Sequence, residues 1–395
     1  MTDVAEREST SDKRRPRAVE RLEDFDAKNT VLVPLLAVIS ALIVGAIVVA
    51  VTDVDRLGDG NFGGILGNIW DAYRSLFVGA FGSWSAISET IVFATPLILA
   101  GLAVALSFRS GLFNIGATGQ MLMGGMASVY VGFSMDGPGI VQIPLAILAG
   151  IAAGAVWGGI IGLLKARTGA HEVITTIMSN YIAGFLALWM LKTAVFRPAG
   201  TLNPISKAIS AQARLPKLMD WLQSGLRANV GFLIAIAAAV WMWWLFRKTR
   251  LGFELRTVGA NPDAARYAGM KIGALTIIAM GMSGGLAGLA GAVKVLGTTP
   301  QVSSSFAGDI GFDAIAIALL GRNTSSGTVL AALLFGALEA GKTKMQLDAD
   351  VPLDLVLVIR ALIVLFIAAP LLTRKIWHVK APDTTLGLNF RGWGS

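Results

Sequence analysis

The 395-residue chain contains no cysteine, which removes disulfides, thiolate nucleophiles and cysteine-held zinc or iron from consideration. It has two histidines, His171 and His378, far apart in sequence, with no third to complete a spaced ligand cluster. Charge is scarce as well: charged residues make up 15% of the chain against 54% hydrophobic, a balance foreign to soluble domains. No serine, histidine and carboxylate stand at a spacing that suggests hydrolysis. The net charge of +8 does not form an aromatic-studded basic patch, so nucleic acid is not the expected partner.

What is abundant is apolar length. Mean hydropathy is +0.67, and uncharged apolar runs occupy 31–51, 90–108, 111–135, 137–164, 230–246 and 272–293. Most reach the roughly 20 residues that a helix needs to cross a bilayer. With shorter runs at 173–191, 311–320 with 326–341, and 353–373, the expected fold is an all-α polytopic bundle of about ten spans. Residues 52–88 are glycine-rich, and Ile65 to Trp84 carries Trp70, Tyr73, Phe77, Phe81 and Trp84, which suit a helix lying flat at the outer interface.

Lysine and arginine orient the chain. Seven fall in the first 30 residues, six between Arg247 and Lys271, and four after Thr373, which places both termini in the cytoplasm of a multi-pass plasma-membrane protein. Residues 1–30, charged and poor in large apolar side chains, read as a disordered cytoplasmic tail. Residues 31–373 form the membrane domain and 374–395 a second cytoplasmic tail. The first apolar run is long for a signal peptide and reads as an uncleaved helix. An outer loop, 192–229, is large enough to touch a partner.

Within the runs, Gly281, Gly284, Gly285, Gly288 and Gly291 have the spacing that lets helices approach closely, a packing role favoured over pore lining. Asn114, Gln120, Asn180 and Tyr181 sit in or beside apolar runs and each needs a hydrogen-bond partner there. Asn114 and Gln120 follow Gly111 in a glycine-interrupted stretch, the kind of broken helix that presents polar groups to a solute near mid-membrane. Bonding between helices is the competing role. Phe113 and Trp189 are aromatic candidates for stacking on a flat solute, against the commoner role of packing. Arg360, among Val356, Leu357, Val358, Ile359, Ala361 and Leu362, would cost about 2.5–3.5 kcal/mol at a helix centre. It should therefore meet a partner such as Glu339 or Asp313, or line a watered path. His171 and Glu172 read as a helix start, not an acid–base pair.

Gly336 to Thr343 satisfies the G-x-x-x-x-G-K-T pattern of a phosphate-binding loop. A true loop of that kind follows a buried strand and opens a helix, whereas this stretch ends an apolar helix, so nucleotide binding is rejected. The segment RKTRLGFELRTVGANPDAARYAGMK, Arg247 to Lys271, lies between two spans. Asn261-Pro262-Asp263 is a strong helix start, and small Ala264 and Ala265, Tyr267 and a terminating Gly269 follow. A short helix of this kind fits a cleft on a soluble partner.

GANPDAARYAGMKI resembles the coupling segment of permeases in the branched-chain amino acid and ribose superfamily of ABC importers. So do TPLILAGLAVALSFRSGLFNIGATGQMLMGG at 95–125, HEVITTIMSNYIA at 171–183 and GFDAIAIALLGRN at 311–323. Together the four are similar to permeases for nucleosides and simple sugars that work with receptors of the basic-membrane-protein type. The resemblance implies a second, often non-identical permease chain, two cytoplasmic ATP-binding subunits and an extracytoplasmic substrate-binding lipoprotein. It further implies that Gly259, Asn261, Pro262, Ala264, Ala265, Tyr267 and Gly269 couple mechanically to the ATPase. No cofactor is expected on this chain, ATP being hydrolysed by the partner subunit, and no residue is expected to be catalytic. The candidates for the substrate path are Phe113, Asn114, Gln120, Asn180 and Arg360. Thr118, Ser179, Lys294 and Arg360 depart from residues usual in that family and alter the polarity of such a path.

The expected function is therefore the membrane subunit of an ATP-driven importer for a nucleoside or related simple sugar, working by alternating access. The rivals are a branched-chain amino acid or another sugar as solute, since the fold does not fix it, and an ion-coupled carrier working alone. A membrane-embedded enzyme lacks its nucleophile and metal ligands.

Overall fold

The computed structural model describes residues 17–52, 61–369 and 376–378. Among them the regular structure is thirteen α-helices, one 3-10 turn and two isolated β-bridges. In chain order these are α1 (Arg17–Thr52), α2 (Phe62–Phe81), α3 (Trp84–Arg109), α4 (Ala117–Ser134), α5 (Gly139–Thr168), α6 (Glu172–Lys192) and α7 (Gly231–Lys248). There follow α8 (Arg250–Ala260), α9 (Pro262–Tyr267), α10 (Ile272–Gly297), α11 (Ile310–Leu320), α12 (Ser325–Ala349) and α13 (Asp354–Ala368).

Six helical stretches among the described residues are long and apolar enough to cross a membrane: Leu35–Thr52, α3, α5, α6, α7 and α10. The sequence expectation of about ten also counted α4, α11, α12 and α13, which do not reach that length and apolarity. Residues 17–30, read above as part of a disordered tail, are helical. They hold good helix formers, and between Ala18 and Asn29 there is neither glycine nor proline, so the helix extends back from the apolar run. Residues 1–16, and all but three of 374–395, lie outside the described residues.

By compactness the chain divides into one unit of residues 1–47 with 359–395 and another of residues 48–358. In the first, the Trp377 indole donates to the Ser40 hydroxyl at 2.9 Å. The second is built around α3 and α10. Most of α3 is buried along its length, and α10 has an unbroken buried stretch from Ser283 to Val293. In contrast, α5 and α6 bury mainly one narrow face and leave Leu148, Val156, Ile160, Ile182, Phe185 and Trp189 exposed, as helices facing lipid do.

Small residues explain the tightest packing. On α5, Gly150, Gly154, Gly158 and Gly162 recur every fourth residue and face α10. A Cβ on Gly154 would lie 2.7 Å from the Gly288 Cα, and one on Gly158 would lie 3.0 Å from the Gly284 Cα. The two backbones thus touch, the arrangement anticipated from the glycine spacing. A second contact of this kind joins α2 to α12: a Cβ on Gly79 would meet the Gly341 Cα at 3.0 Å. The residues of the apparent phosphate-binding pattern are therefore mid-helix, with Gly341 serving as a helix-packing position.

The α2–α12 contact also alters the reading of residues 65–84. Ile65, Ala72, Ser75, Leu76 and Ala80 of α2 are buried, and the Ser75 hydroxyl donates to Asp348 at 2.8 Å. Trp70 and Phe77 remain exposed on the opposite face. The helix is a packed member of the bundle, and Trp84 belongs to the next helix, begun by the Ser83 cap on Ala86 N–H at 3.1 Å.

The loop between α6 and α7 is stitched down. Ser206 N–H donates to the Val302 carbonyl and Val302 N–H to the Ser206 hydroxyl, at 2.9 and 2.8 Å. Ile209 N–H reaches the Pro300 carbonyl and Leu215 N–H the Leu296 carbonyl. The Ser88 hydroxyl of α3 accepts from both Arg227 and Ala228 N–H at 2.9 Å. Lys294 adds a pin at this end of α10, donating to the Phe306 carbonyl at 2.6 Å with its ammonium 4.9 Å from that ring's centroid.

Candidate functional site

The segment between α7 and α10 folds as a helical pair. Thr249 turns the chain sharply: its hydroxyl donates to the Leu245 carbonyl and accepts from Gly252 N–H, capping α8. One face of α8, Gly252, Leu255 and Val258, is buried, while Arg250 and Phe253 point outward. Asn261 then caps α9 through a 3.0 Å bond from Ala264 N–H, with Pro262 in the first turn, where a missing N–H costs nothing. The end is closed at Gly269, whose φ of +78° suits glycine. Ala268 N–H returns to the Ala264 carbonyl and Met270 N–H to the Ala265 carbonyl, both at 3.0 Å.

The seven residues proposed for coupling separate into two groups. Asn261, Pro262, Ala264, Tyr267 and Gly269 are exposed, Tyr267 at 94% of its possible area. Ala265 is fully buried and forms the seat of α9. Gly259 also faces inward: a Cβ there would lie 2.8 Å from Gly111 N and from the Ser110 carbonyl carbon. These two therefore hold the element against the bundle and are not part of its outward surface, a distinction the contiguous motif conceals.

Gly111 belongs to the break between α3 and α4. Its φ is +72°, and a Cβ on it would lie 2.8 Å from the Gly259 Cα, so both backbone conformation and space require glycine. Three residues on, Asn114 is completely buried. Its amide nitrogen donates to Gln120 Oε1 at 2.9 Å and to Ser283 Oγ at 2.8 Å. Its amide oxygen accepts from Gly116 N–H at 2.8 Å and from Gln120 Nε2 at 3.3 Å. An amide has two donors and an oxygen with two lone pairs, so Asn114 is saturated. Ser283 in turn donates to the Ala103 carbonyl at 2.7 Å, tying α10 to α3.

Asn180 secures the other flank of the break. Its oxygen accepts from Gly119 N–H at 2.8 Å and its nitrogen donates to the Ile115 carbonyl at 2.9 Å. Asn114 and Gln120 thus spend their hydrogen bonds inside the protein, as a lock on the break between α3, α4, α6 and α10. Phe113 is half-buried with its ring centroid 4.8 Å from that of Phe108. Tyr181 is exposed. Arg360, on α13, is buried in the unit of residues 1–47 and 359–395. Of the acidic residues considered for it, both in the other unit, Glu339 is ion-paired with Lys342 one helical turn away. Ser283, which completes the lock, had no signal in the sequence beyond being a hydroxyl in a glycine-rich run.

The Arg109 guanidinium lies 5.0 Å from the Phe246 ring centroid, joining the C-terminal ends of α3 and α7 beside the contact of Gly111 with Gly259. At the α5–α6 turn, Gly169 adopts φ +70° and Lys165 pairs with Glu172, while His171 occupies the cap position of α6, the helix-start geometry expected for that pair. Among the described residues no three histidine or acidic side chains cluster as a metal site.

Residues 86–368 match the family described as the branched-chain amino acid transport system permease component. The chain is 42% identical over 340 residues to a guanosine ABC transporter permease of Bacillus subtilis, covering 86% of this chain and 93% of that one. It is 39% identical over 364 residues to a nucleoside ABC transporter permease of Lactococcus lactis, covering 90% and 96%. It is 36% identical over 346 residues to a glucose ABC transporter permease of Haloferax volcanii, covering 85% and 86%. No solved structure matches the chain significantly.

Proposed function

The chain belongs to the branched-chain amino acid transport system permease family, and from that premise we propose that it carries a nucleoside across the plasma membrane as one permease subunit of an ABC importer. The family is a membrane component whose ATPase is a separate subunit, and this chain needs such a subunit to consume energy. Cytoplasmic ATP-binding subunits and a substrate-binding protein are its partners, and the second permease is a non-identical chain. Alternating access moves the solute: closure of the ATPases displaces α8 and α9, and the membrane helices rock about the path between them.

The observation that carries this reading is the α8–α9 pair, a capped element between two membrane-long helices that buries Ala265 and leaves Tyr267 almost wholly exposed. An aromatic ring held out by a short rigid helix is what a cleft on a soluble partner requires. The density of lysine and arginine between Arg247 and Lys271 supports a cytoplasmic position for it and for both termini. About ten spans follow if α4, α11, α12 and α13 cross in the company of the six apolar stretches, their polar residues facing protein.

A nucleoside is favoured over other solutes because the guanosine and nucleoside permeases match nearly full length at 42% and 39% identity. The glucose permease at 36% supports a hexose as the second reading. The test is purification of the chain from its native membrane with its stoichiometric partners, followed by reconstitution in liposomes. Uptake of labelled guanosine that needs ATP, and that excess glucose does not compete away, is expected. Uptake of glucose alone would replace the solute, and a chain that purifies alone and follows an ion gradient would overturn the ABC reading.

A further inference from the structure

We infer that the Gly111–Gly259 crossing is the contact through which movement of α8 and α9 enters the membrane domain, and that Asn114 and Asn180 divide that movement between α10 and α6. The inference rests on the ATP-driven reading above and assigns positioning roles to residues that touch no solute.

The argument is one of geometry. Ala260 ends α8 and Asn261 caps α9 at once, so the two helices share a joint immediately after Gly259. At Gly259 the backbone of that joint rests on the backbone of Arg109, Ser110 and Gly111, with no side chain between them. A contact between two main chains has no rotamer to absorb a displacement, so it transmits one with little loss. The chain it pushes is the one non-helical stretch joining α3 and α4, 110–116. Two side-chain amides hold that stretch. Asn114 binds Ser283 on α10, and Asn180 on α6 binds the Ile115 carbonyl and Gly119 N–H. A shift of the stretch therefore pulls on α10 through one amide and on α6 through the other. Both amides are engaged within the protein, which suits a linkage and leaves Asn114 no capacity for a solute.

The absence of native cysteine from this chain allows site-specific spin labels on it in the full importer complex, once any cysteines of the partner subunits have been replaced. Gly159→Cys, where an added side chain meets nothing within 4 Å, serves as the reference, paired in turn with Ala268→Cys on the α9 cap and Ile115→Cys in the break. In the otherwise unsubstituted complex, ATP is expected to change both distances; no change at position 268 would sink the ATP-driven reading itself. In Gly259→Ala the change at 268 is expected to persist and that at 115 to vanish. Solute moved per ATP hydrolysed should fall at least about fivefold, the low end for a broken coupling. A change at 115 that survives Gly259→Ala would overturn the inference while leaving the ATP-driven reading intact. Should Gly259→Ala fail to assemble, Asn180→Ala leaves the crossing untouched. Position 115 should then still move while a label at Gly184→Cys on α6 stops, and continued movement of α6 would refute the division.

Discussion

Replacing Asn114 with alanine removes the centre of the lock and lets its worth be calculated. Four hydrogen bonds disappear. Gly116 N–H and both ends of the Gln120 amide lose partners, whereas Ser283 keeps its bond to the Ala103 carbonyl. Three stranded groups at about 1 kcal/mol each, the low end for buried groups, give about 3 kcal/mol. Counted instead as bonds in a membrane protein, at about 0.6 kcal/mol each, the four give about 2.4 kcal/mol. The two routes agree on about 2–3 kcal/mol, or roughly a hundredfold shift in the unfolding equilibrium. The assay is unfolding of the purified permease by titration of dodecyl sulfate into mixed micelles, compared with Ser283→Ala, which removes two hydrogen bonds, one from Asn114 and one to the Ala103 carbonyl, and should cost about half as much. An Asn114→Ala protein within about 0.5 kcal/mol of wild type would show that the break is held by backbone and packing, and the lock would lose its explanatory force.

Gly158→Leu should prevent accumulation of folded permease, because its Cβ would lie 3.0 Å from the Gly284 Cα and overpacking costs about 1–3 kcal/mol or more. Gly159→Leu, one residue away and in open space, should behave as wild type by size-exclusion chromatography, and equal outcomes would refute the α5–α10 register. Tyr267→Asp should leave the unfolding midpoint unchanged, the ring being 94% exposed, yet abolish co-purification of the ATP-binding subunit. Retention of that subunit would place the docking surface elsewhere. Asn261→Ala removes the cap of α9 at a cost of about 1 kcal/mol, seen as faster hydrogen exchange at residues 264–267; unchanged exchange would mean that the seat at Ala265 alone holds the helix.

The sequence made the long apolar helices legible because their signal is additive along the chain: α3, α5, α7 and α10 each run close to their apolar stretches. It misplaced the helices whose polar residues are satisfied within the helix or by a neighbour. α12 runs to Ala349, well past 341, because Glu339 pairs with Lys342 and Lys344 with Asp348, partners one turn apart that make a charged stretch compatible with helix. For α2, the aromatic residues that suit an interface are the exposed face of a packed helix, and nothing local separates those cases. The need of Asn114 for a partner could be read from its surroundings. That the partner is Ser283, 169 residues away, depends on how α10 is threaded against the break. Gly259 shows the same limit: a motif read as one block contains residues facing in opposite directions.

The contact between α5 and α10 has a further property. Interlocked side chains can change rotamer and so let two helices shift against each other. Where glycine meets glycine at Gly154 and Gly288, and at Gly158 and Gly284, main chain rests on main chain and no rotamer lies between them. The spacing of α5 and α10 is therefore set by covalent geometry, and α10 is tied in turn to α3 by the hydroxyl of Ser283. With nothing soft between them, the lipid-facing α5 and the buried α10 form a single strut.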